Sequence, residues 1–465
     1  MKTTLTSIIF ALFFFTSFAQ NTSEEIDPIQ QFIEATVQIP FLAQFDNVQG
    51  DVEVRIAMGD NNFPAKYEIV KSLRSDCDTE ALRVVKLINP KYLLDKLGAK
   101  KAIVLQVPFI NSPHLSFVKN YIVEYFNQEK KPVSRSEKPK YARRYMVDTL
   151  SGKINGYVEN FIYKDVNPEL IEIVKLYIDT CDSHCSELLV SSTDLMKIYR
   201  RDTYSDFIYP SVTQAFYQNG RLADKNLNDR IYRYYPSGSI ASVSSRIKED
   251  KNEGIKTIKW YANGLMASIS INIQDKTETY EGFISVWDSL GKQTVKDGEG
   301  FYEYSKRDKN GLIHYSGSIK GGFKHGKWKG RNSLGEILFE ENYQDGECLN
   351  GFSLVEGNKY EYTNPIEKAE YSGGTTGFIR HLQLNLKYPG SAQRNNVQGK
   401  VYVQFTVCTD GTLCDYNVLK GIGFGCDQEA VRIIRLMNGK WLSGKVRGKE
   451  ANTQIILPFN FKLAE

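Results

Sequence analysis

Few residues in this chain stand where chemistry would need them. Cys181 and Cys185 flank His184 in the run Cys-Asp-Ser-His-Cys. This spacing suits a helical pair or a fragment of a metal site, but a zinc site needs further ligands that the neighbouring sequence does not supply. A structural or free-thiol role is the better reading. The five histidines, at 114, 184, 314, 325 and 381, form no His-Glu-x-x-His pair, and there is no Gly-x-Ser-x-Gly elbow or P-loop. Gly421, Gly423 and Gly425 follow a strand pattern and precede a helical one, yet they lack the third-glycine spacing and the βαβ context of a dinucleotide site. They read as a strand-to-helix connection. Asp427 and Glu429 beside Arg432 and Arg435 have the spacing of a capped helix with surface ion pairs, rather than an acid/base couple. No catalytic residue, metal ligand or cofactor is assigned, and the expectation is a protein that is not an enzyme. The one enzymatic route left open is a hydrolase or redox role for Cys181 and Cys185.

The elements around these residues are better defined at the carboxy terminus. From Lys400 to Cys408, Val401, Val403, Phe405 and Val407 alternate as in a half-buried strand. Asp410-Gly411 supplies a turn, and Cys414 to Lys420 forms a second strand with Tyr416 and Val418 on one side. Cys408 and Cys414 flank that turn and could meet across it. Asp427 is the expected cap of a helix carrying Ala430, Ile433, Ile434 and Met437 at helical spacing. Ile455, Leu457 and Phe459 make a last strand.

This ββαβ order resembles the carboxy-terminal domain of TonB-type energy transducers. The motifs that carry the likeness are Tyr388-Pro389, Gly399, Asp410-Gly411, the helix Cys-Asp-Gln-Glu-Ala-Val-Arg-Ile-Ile-Arg-Leu-Met, and Trp441 with Gly444. Ser443 stands where the family pattern has proline. The resemblance covers about residues 388–465. It implies that the last strand, Thr453, Gln454, Ile455, Ile456, Leu457, Pro458 and Phe459, accepts an extended peptide of an outer-membrane transporter or other envelope protein by strand addition. The alternative is that these residues are only the third strand of the core. Pro458 cannot donate to a ladder, which favours an edge position. An energy transducer also needs an inner-membrane helix and usually a Pro-rich spacer. Neither is seen here, so coupling to a proton gradient would call for a separate motor subunit.

Residues 1–19 carry Lys2, the apolar run Ile8 to Phe15 and Ser17-Phe18-Ala19 before Gln20, the pattern of a secretory signal. The expected location is the periplasm or cell envelope; the alternative is an uncleaved signal acting as an inner-membrane anchor. Net charge is +4 over 465 residues, with 41% hydrophobic and 12% aromatic residues, so a folded chain without a nucleic-acid partner is expected. Lys440, Lys445, Arg447 and Lys449 read as a solvated surface cluster. Seven cysteines permit disulfides in an exported protein and leave at least one thiol unpaired.

The amino-terminal part echoes the carboxy-terminal one. Val48–Asn61 aligns with Val397–Asp410 and Asp76–Lys86 with Gly425–Arg435, while Pro40 and Pro389 stand equally far before Gly50 and Gly399. The endings align as Ala102–Phe109 against Thr453–Phe459. Residues 36–110 therefore read as a diverged copy, a packing or dimerisation module in which Gly59-Asp60-Asn61 replaces the Asp-Gly turn, the tryptophan is lost and Pro90 interrupts the segment after the helix. Between the copies, 112–200 suggests hairpins and one helix starting at Pro168 with Leu170, Ile171, Val174 and Ile178. Residues 201–363 repeat aromatic-x-x-Gly at 217–220, 235–238 and 261–264, with variants at 287–291 and 332–335. The segment 315–346 resembles MORN-type repeats, with each turn aromatic expected to stack on the next unit. Residues 364–380, with Pro365 and Gly373-Gly374, read as a linker into a domain at 381–465. The expected fold is α+β: two ββαβ units flanking an antiparallel hairpin array. Two functions are implied: a TonB-family strand-accepting binding protein, or an envelope scaffold that assembles through the array, with a homodimer as a further partnership.

Overall fold

The computed structural model describes residues 27–98, 100–110, 115–118, 121–128, 132–147, 154–164, 167–179, 195–201, 214–217, 222–227, 230–249, 252–274, 279–308 and 311–463. The signal-like stretch 1–19, Cys181, His184 and Cys185 and most of the 217–220 turn lie outside them. Two compact units divide the chain, one made of residues up to 300 with 321–323, the other of 301–320 with 324–465.

The first unit opens with α1 (Pro28–Thr36), capped by Asp27, and α2 (Phe41–Phe45). Then come β1 (Gly50–Met58), β2 (Pro64–Lys71), α3 (Ser75–Lys86), α4 (Pro90–Leu97) and β3 (Ala102–Phe109). The strands form a sheet in the order β2-β1-β3. Val52, Val54 and Ile56 point from β1 into the core, fully buried against Ala81, Val84 and Val85 of α3. Each such buried aliphatic side chain contributes about 1.5–3 kcal/mol. Pro90 does not merely break the chain after α3. Asn89 accepts the Lys91 amide and Pro90 takes the first turn, where a missing N–H costs nothing, so a second helix starts there.

An antiparallel meander comes next, through Arg230–Tyr234, Ile240–Glu249, Asn252–Trp260, Met266–Gln274 and Thr279–Trp287. Its turns share one geometry. Gly238, Gly264 and Gly291 donate to the carbonyls of Tyr235, Tyr261 and Asp288, each glycine at φ near +80°. Among the described residues, Tyr235 and Tyr261 of these turns make no ring stacks of the kind the pattern suggests. Instead the Tyr235 hydroxyl donates to the Trp260 carbonyl and the Tyr261 hydroxyl to the Trp287 carbonyl, both at 2.8 Å, tying each turn to the next. Where the aromatic is replaced, Asp288 accepts the amides of Leu290 and Lys292 and holds the turn from within. The helix expected from Pro168 is a strand, Asn167–Asp179, paired with Ile154–Lys164. Leu170, Val174 and Ile178 satisfy a period of two as well as a helical one, and Pro168 is tolerated beside a strand's first residue.

The second unit holds the strand Phe323–Arg331, apart from Phe323 itself, with Ile337–Gln344, Glu347–Val355 and Asn358–Tyr362. Its glycines are covered by rings from the neighbouring strand: Gly317 lies under Trp328, Gly330 under Phe339 and Gly351 under Tyr362. That contact explains the second glycine of Gly-Lys-Trp-Lys-Gly at 326–330, because any Cβ on Gly330 would fall inside the Phe339 ring; Gly326 instead stands at φ +64°.

The expected linker is structured. It contributes β4 (Ile366–Glu367), β5 (Glu370–Tyr371) and the start of α5 (Gly374–Asn385). Next come α6 (Gly390–Arg394), β6 (Gly399–Val407), β7 (Leu413–Lys420) and α7 (Cys426–Arg435). The chain closes with β8 (Trp441–Leu442), β9 (Gly444–Val446), β10 (Lys449–Ala451) and β11 (Thr453–Phe461). β4 pairs with β9 and β5 with β8, so main-chain bonds fix what composition alone reads as flexible.

Candidate strand-accepting site

The carboxy-terminal sheet has the order β7-β6-β11, so β11 is an edge strand. All seven candidate residues lie on it, but they do not act alike. Phe459 is buried, with Ile455 and Leu457 half-buried, packed on the core of Val401, Val403, Phe405, Ile433 and Ile434. Gln454, Ile456 and Pro458 alternate outward, and the Ile456 side chain is 49% exposed. Thr453 starts the strand, its hydroxyl donating to the Ala451 carbonyl at 3.2 Å.

Backbone chemistry obeys the same alternation. β11 pairs with β6 without a break in register from Gly399–Phe461 to Val407–Thr453. A proline turned toward β6 would delete a ladder bond, so Pro458, opposite Tyr402, belongs to the set whose amide positions face the open side. Gln454 and Ile456 share that parity. The edge thus offers their N–H groups, and the carbonyls of all three residues, to an incoming strand, with no donor at Pro458.

A shell of local contacts braces the sheet. Gly411, at φ +78°, closes the β6–β7 turn against the Trp441 carbonyl, and Cys408 and Cys414 are joined across it with Cα atoms 7.0 Å apart. Asp427 does not cap α7; Gly425 takes that position at φ +87°. Asp427 instead accepts the Ile422 amide at 2.8 Å and the Gly423 amide, bracing the glycine loop. Glu429 accepts Nε and Nη2 of Arg432 at 2.7 and 2.8 Å and the Lys387 amide at 2.6 Å. Burial pushes the Glu429 carboxyl up, but these three donors outweigh it and hold it below its ordinary value.

The same network stands in the first unit at matching spacing. Arg83 binds Glu80, Glu80 accepts the Gln38 amide at 2.6 Å, and Arg83 Nη2 reaches the Thr36 carbonyl, as Arg432 Nη2 reaches that of Asn385. Gly50 pairs with Phe109 as Gly399 pairs with Phe461. Phe109 therefore corresponds to Phe461, and the sequence alignment of the two endings is two residues out of step. A shift of two preserves which face is buried, which is why alternation could not detect it. Val104, opposite Arg55, occupies the place of Ile456 opposite Gln404, and is 45% exposed.

The helical side of the first unit is occupied. Arg83 donates to the Gly238 carbonyl, Asn89 to that of Asn263 and Lys91 to that of Leu290, while Tyr92 accepts the Met266 amide at 2.7 Å. One helix pair thus reads three successive turns of the array. Sequence reasoning found the turns and α3 but not their meeting, since no local pattern signals it. Among the described residues, no three His, Cys, Asp or Glu side chains gather as a metal-binding group, and no helix is long and apolar enough to cross a membrane.

A three-stranded antiparallel sheet backed by one main helix, with an open terminal edge, defines a small α+β domain. Residues 385–463 match the family model described as the Gram-negative bacterial TonB protein C-terminal domain. No curated protein matches the chain. The chain therefore carries a TonB C-terminal domain over these residues.

Proposed function

We propose that this protein is an exported, non-enzymatic binding protein of the TonB family, and that β11 accepts an extended segment of an envelope partner such as an outer-membrane transporter. The open edge of β11 within the matched domain carries this reading. Main-chain hydrogen bonds from Gln454 and Ile456 supply affinity, and the outward side chains of Gln454, Ile456 and Pro458 supply selectivity. Residues 1–19 act as the export signal, and a separate inner-membrane motor subunit provides any coupling to the proton gradient. In-cell photocrosslinking from positions 454 and 456 tests the proposal. An envelope protein captured through an extended segment, and lost on deletion of 388–465, is the expected result; capture that survives the deletion overturns it.

A second reading is supported by the way α3 and α4 hold three turns. Residues 36–110 are then a diverged copy of the domain, kept as an assembly module, and the MORN-like array is a scaffold surface, in a monomer or a homodimer. Partner capture that persists without residues 201–363 counts against this reading.

A further inference from the structure

The basic cluster after α7 is not all solvated surface. Arg447, at the tip of the β9–β10 hairpin, leaves its own domain and enters the strands that precede it. Its Nε donates to Glu341 Oε1 at 2.7 Å, and the Glu341 side chain is 1% exposed. The Tyr343 and Tyr362 hydroxyls donate to the same carboxylate at 2.9 and 3.0 Å. The guanidinium lies 3.6 Å from the centre of the Phe339 ring. Ser353 donates its hydroxyl to the Arg447 carbonyl at 2.7 Å, and Gly448 sits against Tyr360 and the Glu361 carbonyl. Only Thr363, Asn364 and Pro365 separate the strand Asn358–Tyr362 from β4, and the Pro365 carbonyl accepts the Arg447 amide at 2.7 Å.

The carboxy-terminal domain is therefore attached to these strands twice, by the short covalent joint at 363–365 and by the Arg447 tip. A body held at one point pivots in any direction; a second hold leaves it only rotation about the line between the two. We propose that Arg447 is a latch that locks the carboxy-terminal domain to the strands 337–362 and so fixes the direction in which its sheet edge is presented. The latch is independent of any partner, so it stands or falls separately from the strand-accepting reading. Its chemistry makes it close to all-or-none. Withdrawing the tip strands Glu341 as a buried carboxylate with only two neutral donors, whereas the engaged state pairs it fully.

Hydrogen exchange on the full chain tests this. In Arg447→Ala, amides of 444–451 and 363–367 should exchange roughly a hundredfold to a few thousandfold faster, the scale implied by breaking one side of a buried pair, while β6 and α7 keep their protection. Arg447→Lys should recover part of that protection, since the charge remains but the flat stacking on Phe339 is lost. The double variant Glu341→Gln/Arg447→Met removes both charges without stranding either, and should still free the hairpin. Unchanged exchange at 444–451 in Arg447→Ala overturns the latch. So does faster exchange spread equally over β6 and α7 in the double variant, which would mean a general loss of stability.

Discussion

At the scale of single residues, position decides what a familiar side chain does. Glu429 and Asp427 are both acidic residues of the first turn of α7, yet one is held by Arg432 and the other braces a glycine loop. Because the folded state lowers the Glu429 pKa, its contribution to stability is complete above the unfolded value of about 4.3 and is lost as pH falls through the folded value. Melting temperature measured from pH 7 to pH 3 should therefore drop in that acid window. Glu429→Gln should start lower at neutral pH and fall less steeply. Gly330 makes a steric prediction. A methyl group there must displace the Phe339 ring, so Gly330→Ala should cost about 1–3 kcal/mol in urea unfolding, although the backbone itself tolerates alanine.

At the scale of elements, the distinction that counts is which way each amide of β11 faces. Ile456 shares the outward parity of Pro458, so Ile456→Pro removes an open-edge donor without touching the ladder to β6. Crosslinked partner capture should fall about tenfold, the effect of losing one main-chain hydrogen bond plus local fit, with little change in melting temperature. Ile455→Pro removes a bond to β6 and should unfold the domain. A pair of variants that behave alike in both assays would contradict the assigned parity. The hairpin turns obey a similar local logic, where a glycine at positive φ reverses the chain and a tyrosine hydroxyl or an aspartate carboxylate holds the reversal.

At the scale of the whole molecule, the two ββαβ units differ in what they need. The carboxy-terminal core closes on residues between 369 and 461. The amino-terminal core is continuous with Ile240, Trp260, Met266, Ile269 and Ile271 of the meander. Expressed alone, residues 364–465 should melt cooperatively, while residues 27–110 should bind a hydrophobic dye and show no sharp transition. A sharp transition in the shorter fragment would show that its helical side does not require the array.

Much of the carboxy-terminal domain was legible in the sequence because its signals are local. Alternation at Val401, Val403, Phe405 and Val407, the Asp-Gly turn and the spacing of Ala430, Ile433, Ile434 and Met437 each depend on near neighbours along the chain. The edge position of β11 was legible too, through Pro458. Other features turn on partners far away in sequence. The strand at 167–179 was chosen over a helix by pairing with 154–164, the supposed linker was fixed by β8 and β9, and the two-residue offset of the endings was set by ladder register. Arg447 is the clearest case. In sequence it is one of four basic residues in a polar loop, and only the burial of Glu341, about a hundred residues earlier, turns its charge from a surface ornament into an anchor. Side-chain periodicity is a local property, so the residue order was enough to mark most elements of this domain and the face each one buries. Which elements meet was settled by folding, because burial and pairing act on groups that the chain brings within reach only when it is packed.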